Sequence, residues 1–151
     1  MIPCNSGSVT HYVNQVPVDP DSIYKHLSFV APYMEVPEEL TLTEFLEFHF
    51  KLKPISPGIS MAEAIRQAGL ESASHKPIHT FSSGMKQRTR LLLGLYGNAP
   101  LLLLDEPSTN LDESGADWYQ QEVRRIKGEK LLIVGSNLST EYSFCDQVIR
   151  L

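Results

Sequence analysis

Asp105 and Glu106 stand side by side after the run Leu101-Leu102-Leu103-Leu104. A leucine run bounded by Pro100 and an Asp-Glu-Pro turn predicts a buried parallel strand. Open α/β sheets bind ligands beyond the carboxyl ends of such strands, so both carboxylates are expected where a ligand would sit. Two tasks suit the pair. One carboxylate can hold a hard cation through oxygen, and the other can orient or deprotonate a water. Upstream, Phe81-Ser82-Ser83-Gly84-Met85 supplies the complementary chemistry. Ser82 and Ser83 are good helix N-caps, and Gly84 permits close approach of a backbone. The helix that follows would aim free N–H groups and its positive dipole end outward, which suits a phosphate. Each piece taken singly also has a plain structural reading. A serine-glycine cap is common, and Asp-Glu-Pro can be a turn with solvated charges.

The elements that must position these residues follow from pattern. Tyr12 to Val18 alternates as a strand does, Asp19 to Ser22 is a turn, and Ile23 to Leu27 is a short helix. Leu27 to Val30 reads as a strand, and Ala31-Pro32-Tyr33 follows it. Thr41-Leu42-Thr43-Glu44 and Ser60-Met61-Ala62-Glu63 predict two capping boxes. The first opens a helix bearing Leu42, Phe45, Leu46 and Phe48; the second opens one that Gly69 stops. Met61 and Ile65 share a helical face that reads as core, or as the lining of a groove for a partner helix. His49, His75 and His79 lack the further ligands that a metal site needs. The helix after Gly84 carries Leu91, Leu92, Leu93 and Leu95 for packing on a sheet, with Lys86, Arg88 and Arg90 read as facing phosphate or, by default, as solvated charge. Asp112 predicts the cap of a helix running through Trp118, Val123 and Ile126 and ending near Gly128. Leu131 to Val134 reads as a buried strand ending at Gly135-Ser136-Asn137. Glu141 to Phe144 reads as a helical turn, and Asp146 to Leu151 as a closing strand.

Bulk properties narrow the function classes. The chain has 151 residues, 42% of them hydrophobic, which fits one ordinary globular domain. A net charge of -5 argues against a nucleic-acid binder driven by bulk charge. Cys4 and Cys145 form no metal-type or disulfide-dense pattern, which fits a reduced cytoplasmic setting. No apolar run approaches the roughly 18 residues of a membrane span, and Met1 to Cys4 does not read as the start of a signal peptide.

Taken together, Ser82-Ser83-Gly84-Met85 resembles the signature loop of ABC-type ATPases, usually written Leu-Ser-Gly-Gly-Gln. Leu101 to Glu106 resembles their Walker B strand, and Pro107 to Asp112 the D-loop after it. The resemblance extends from Pro3 to Leu151. It implies a partial P-loop NTPase core, an α/β fold with a mostly parallel sheet and flanking helices, carrying an inserted helical subdomain. Residues 1–37 would be core after the phosphate loop, 38–90 the helical subdomain with the signature loop, and 91–151 the part with Walker B, D-loop and H-loop. The phosphate loop itself requires Gly-x-x-x-x-Gly-Lys-Ser/Thr. None of the nine glycines is followed by lysine, so the chain is expected to open in mid-domain, as a truncated form. Two positions depart from the family pattern. Pro32 stands where a glutamine usually reaches the metal and the attacking water, and Gln15 lies too early to replace it. Asn137 stands where a histidine usually holds the γ-phosphate.

By that resemblance Asp105 would hold Mg²⁺ through water and Glu106 would be the general base. Ser82, Ser83, Gly84 and Met85 would bind the γ-phosphate of ATP on an opposing subunit, and Asn137 would donate an amide hydrogen bond. The implied cofactors are ATP and Mg²⁺. The implied partners are a second nucleotide-binding domain, as a homodimer, and a membrane permease subunit, with no nucleic acid. The implied location is cytoplasmic, at the inner face of the membrane. Because amide cannot carry the proton or charge of imidazole, Asn137 and Pro32 also motivate another function, a nucleotide-gated dimerisation module with weak or no hydrolysis.

Overall fold

The computed structural model describes residues 6–150. Pro3, Cys4 and Leu151, which bound the resemblance and the expected closing strand, lie outside the described residues.

Residues 11–18 form a hairpin rather than one strand. β1 (His11–Val13) pairs antiparallel with β2 (Val16–Val18). Asn14 and Gln15 both take positive φ, 50° and 65°. That turn geometry matches the twist of paired strands and folds the alternating stretch back on itself. The short helix expected at Ile23–Leu27 is a 3-10 helix at Pro20–Lys25. Asp19 caps it by accepting from the Asp21 N–H at 2.9 Å, and Pro20 supplies the φ that a first turn needs.

β3 (Leu27–Val30), β4 (Leu101–Asp105) and β5 (Leu131–Gly135) form a parallel sheet in the order β3-β4-β5. The register sets Phe29, Leu103 and Ile133 in one row across it. Between β3 and β4 the chain makes α1 (Leu42–Leu52), α2 (Met61–Gln67) and α3 (Ser83–Tyr96); α4 (Glu113–Ile126) joins β4 to β5. A parallel pair requires such a crossover. α5 (Ser139–Tyr142) follows β5.

The first capping box forms in full: Thr41 Oγ1 accepts from the Glu44 N–H, and the Glu44 carboxylate accepts from the Thr41 N–H at 2.8 Å. The second forms by half. Ser60 accepts from the Glu63 N–H at 3.1 Å, but the Glu63 carboxylate turns to Arg66 and Gln67. Two donors farther along the same helix outcompete one backbone amide. Gly69 stops α2 with φ of 69°, as expected.

The core is continuous between the inserted helices and the sheet. Leu42, Leu46, Ile65 and Ile78 pack in one cluster with Val30, Leu102, Leu104 and Tyr119. Each such buried side chain contributes roughly 1.5–3 kcal/mol. α3 spans both regions. At Gly94 it comes so near the sheet that an added Cβ would collide with Val30 and approach Leu102 Cδ1 to 3.1 Å.

Two expectations fail. β5 is not a buried strand: Leu131 is 63% exposed and Ile133 52%. β5 forms one edge of the sheet among the described residues, and its Leu131–Ile133 face has no covering layer. Asp146–Arg150 forms no strand, and Val148 and Ile149 are exposed. Cys145 and Phe144 end the packed chain, and nothing beyond them among the described residues hydrogen-bonds to a sheet neighbour.

Candidate functional site

The carboxyl ends of β4 and β5 meet at one open groove. Asp105 and Glu106 end β4, and Gly135, Ser136 and Asn137 end β5 beside them. Asp105 is partly buried, whereas Glu106 and Asn137 are exposed. Glu106 takes φ of 40°, a left-handed conformation uncommon outside glycine. Its N–H donates to the Gly135 carbonyl at 2.9 Å, which ties the backbone just past β4 to the end of β5. Thr109 Oγ1 reaches Glu106 Oε2 at 3.5 Å.

Tyr33, just after β3, completes the third strand end. Its hydroxyl donates to Asp105 Oδ2 at 3.1 Å. That bond to a carboxylate, more than burial, raises the phenol above its ordinary pKa. Asp105 Oδ1 lies on the other side, where a Cβ at Gly135 would be 3.4 Å away. Sequence reasoning stopped at Pro32, which has no donor, and missed its neighbour. The available signal was a hydroxyl three residues past a strand that pairs with the acidic one.

The signature-like turn forms as a helix start. Ser82 is the cap, accepting from the Met85 N–H at 3.2 Å, and Ser83 is the first helical residue. Both serines are exposed. Gly84 touches the D-loop-like segment of its own chain, where an added Cβ would lie 2.9 Å from the Asn110 carbonyl oxygen. Ser82 to Met85 therefore meets one end of the 106–112 loop while Asp105 and Glu106 form the other. The structure brings Asp105, Glu106 and Asn137 together and leaves the signature-like cap outside their groove.

Three side chains clamp that loop. Gln87, fully buried on α3, donates to the Pro107 carbonyl at 2.9 Å. Arg88 donates to Asp112 Oδ1 at 2.7 Å, to Ser114 Oγ at 2.6 Å and to the Ala68 carbonyl at 3.2 Å. The guanidinium, with the Gly115 N–H, holds the Asp112 carboxyl below its usual pKa. From α5, Glu141 is 1% exposed and accepts from the Ser108 N–H at 2.7 Å and from the Ser108 hydroxyl. The Tyr119 hydroxyl donates to the Glu141 carbonyl at 3.0 Å. Lys86, Arg88 and Arg90 are thus not solvated charges. Lys86 pairs with Glu38, and Arg90 donates to the Met34 carbonyl at 2.6 Å. A basic residue on a helix gives no sign of such distant acceptors, and Glu141 sits on too short a helix to show a periodic face.

The strand-tip end of the groove offers a hard cation oxygen donors, the Asp105 and Glu106 carboxylates, the Ser136 hydroxyl and the Asn137 amide carbonyl, while Arg124, Lys127, Lys130 and Arg150 line the rest. Among the described residues no group of three or more His, Cys, Asp or Glu could hold a metal unaided. Mg²⁺ asks for less, since it keeps several waters and takes one or two carboxylates with substrate phosphates.

A parallel sheet with acidic strand ends, helices packed on it and ligand-facing loops beyond is the α/β arrangement of P-loop nucleoside triphosphatases, and solved structures of that kind share it. An ATP-binding subunit of an ABC transporter superposes with a TM-score of 0.71 at 24% identity, covering 89% of this chain and 59% of that one. A dimeric post-hydrolysis ATP-binding cassette bound to ADP and Pi gives 0.68 at 21% identity, over 86% and 63%. The family model for ABC transporters matches residues 2–109, and the chain belongs to that family. Among relatives, ABC transporter A family member 8 of Dictyostelium discoideum is 30% identical over 135 residues, covering 87% of this chain and 16% of that protein. An uncharacterised ABC transporter ATP-binding protein of Bacillus subtilis, YybJ, is 26% identical over 151 residues, 93% of this chain and 68% of its own. Human ATP-binding cassette sub-family A member 6 is 27% identical over 133 residues, of which this chain spans 8% of the length. Among the described residues no helix is long and apolar enough to cross a membrane.

Proposed function

We propose that this chain is ATP-binding machinery of an ABC transporter, hydrolysing ATP when a phosphate loop is supplied and working as a pair of like domains beside a membrane permease. The observation that carries the reading is the joint geometry of the acidic strand end and the clamped loop, which ends against the signature-like cap. Asp105 would hold Mg²⁺ through water. When bound, the ion neutralises charge on the phosphate oxygens. Glu106 accepts the proton of the attacking water, beside the Thr109 hydroxyl at 3.5 Å. Asn137 donates its amide to a phosphate oxygen. Ser82, Ser83, Gly84 and Met85 present exposed hydroxyls and helix N-terminal amides to the γ-phosphate of ATP held by the opposing domain. Residues 38–90 act as the unit bearing that cap, between core segments 1–37 and 91–151. The setting is the cytoplasmic face of a membrane.

These 151 residues contain no Gly-Lys pair, so alone they bind ATP weakly. The test joins them to a chain that supplies the phosphate loop and its lysine. Glu106→Gln should then lower ATP turnover roughly 10²–10⁴-fold, the ordinary worth of a general base, while ATP-dependent dimers persist in sedimentation. Undiminished turnover would remove Glu106 from the role.

Asn137 favours a second reading. Its exposed amide binds phosphate oxygen without moving a proton, which suits a dimerisation module gated by ATP with weak or no hydrolysis. Asn137→His separates the two. In the joined protein, a large gain in turnover supports the gated module, and ready hydrolysis that the substitution leaves unchanged supports the ATPase.

A further inference from the structure

Asp105 would be a poor ion site if its carboxylate rotated freely. At a strand end facing an open groove, nothing in the backbone stops that rotation. One contact does. Oδ2 accepts the Tyr33 hydroxyl at 3.1 Å, and Oδ1 is left on the side of Gly135, which carries no Cβ to crowd it. The phenol is itself located. Its ring packs against Phe29 with centroids 6.4 Å apart, tilted 55°. Phe29 sits on β3, whose register with β4 is set by the parallel ladder. A chain of contacts therefore runs from β3 through Phe29 and Tyr33 to the carboxylate of β4. Tyr33 is 69% exposed, so this hydroxyl has no burial to satisfy and its contact with Asp105 is not forced by packing. It also stands beside Pro32, which supplies no polar side chain.

We propose that Tyr33 is a positioning residue of the metal–nucleotide site, holding Asp105 by Oδ2 so that Oδ1 is presented to the cation or its water. The proposal rests on the reading of Asp105 as the metal-holding carboxylate. Tyr33 spans with one phenol the gap left where Pro32 offers no donor. It does so from the β3 end of the sheet, and it touches the carboxylate rather than the reacting phosphate. Pre-orienting a ligand oxygen lowers the ordering cost of binding, so the hydroxyl should matter more for cation affinity than for fold stability.

The experiment uses the chain joined to the phosphate loop that the proposed function calls for, with ATP present and Mn²⁺ as the probe, because one or two carboxylates take such an ion together with phosphates. Calorimetry reads cation binding, and tyrosine difference absorbance reads the environment of the phenol. Wild type should bind Mn²⁺ with a saturable tyrosine difference signal. Tyr33→Phe keeps the ring against Phe29 and should retain the wild-type melting temperature. It should lose that signal and bind Mn²⁺ roughly two- to tenfold more weakly, the worth of one such hydrogen bond. Asp105→Asn should lose both signal and binding. Equal Mn²⁺ affinity and an equal tyrosine signal in Tyr33→Phe, with binding lost in Asp105→Asn, would overturn the role of Tyr33 alone. Absence of Mn²⁺ binding in wild type, or unchanged binding in Asp105→Asn, would overturn the reading of Asp105, and the proposal with it.

Discussion

The two faces of the parallel sheet have opposite fates. On one, Val30, Leu102 and Leu104 are buried in the cluster that also holds Leu91, Leu92, Tyr119 and Val123 of α3 and α4. On the other, Phe29 is 38% exposed, and Leu131 and Ile133 beside it are more open still. Both faces are equally apolar in sequence, because parallel strands are built for cover on both sides. Among the described residues only one cover exists, and its helices carry the candidate-site clamps. α3 brings the signature-like cap and the Gln87 and Arg88 clamps, and α4 begins at Asp112. The open face shows what the same leucines do without such a layer.

The comparison breaks most visibly at the core. Leu102→Ala should cost about 2–5 kcal/mol, because it leaves a cavity in a tight cluster. Ile133→Ala, the same kind of truncation on the exposed face, should cost under about 1 kcal/mol. Urea melts of the two variants measure the difference. Similar losses would mean that the open face is covered in solution.

Cover of that kind is expected from another copy, since contiguous apolar surface promotes association. Ile133→Lys should raise the monomer fraction in sedimentation at micromolar concentration, and Leu131→Lys likewise. Phe48→Lys, an exposed aromatic on α1, should leave it unchanged. A wild-type chain that is monomeric throughout would remove this expectation.

The smallest effect concerns the clamped loop. Arg88 depresses the Asp112 pKa below the ordinary 3.8. A carboxylate with a lowered folded pKa stabilises the fold at pH above its ordinary value and loses that contribution as pH falls through the folded value. Thermal melts should therefore show an acid-side decline that is shallower in Arg88→Met than in wild type. With Asp112 exposed, the difference will be small. Identical pH profiles would separate the Arg88–Asp112 contact from stability.

Local devices were legible from residue order. The caps at Thr41, Ser82 and Asp112, the stop at Gly69 and the strand Leu101–Asp105 all depend on neighbours within four residues. The same rule explains the misreadings. The 11–18 hairpin turned on positive φ at Gln15, which its side chain does not advertise. β5 read as buried because an apolar run carries no record of whether a second layer will reach it. Arg88 read as solvent-facing because its acceptors, Asp112 and Ser114, lie 24 and 26 residues away.

For the candidate site, sequence alone determined which groups are available: two carboxylates at a strand end, a serine-capped helix start and, by resemblance to the family, amide where imidazole usually stands. Side-chain chemistry and one apolar run suffice for the first two, and the resemblance supplies the third. Tertiary structure decided which groups meet. Tyr33 reaches Asp105 across 72 residues of chain, and Glu141 reaches Ser108 across 33. Such meetings come from parallel register and helix crossing, which many distant packing contacts set together. No local stretch of the chain contains them.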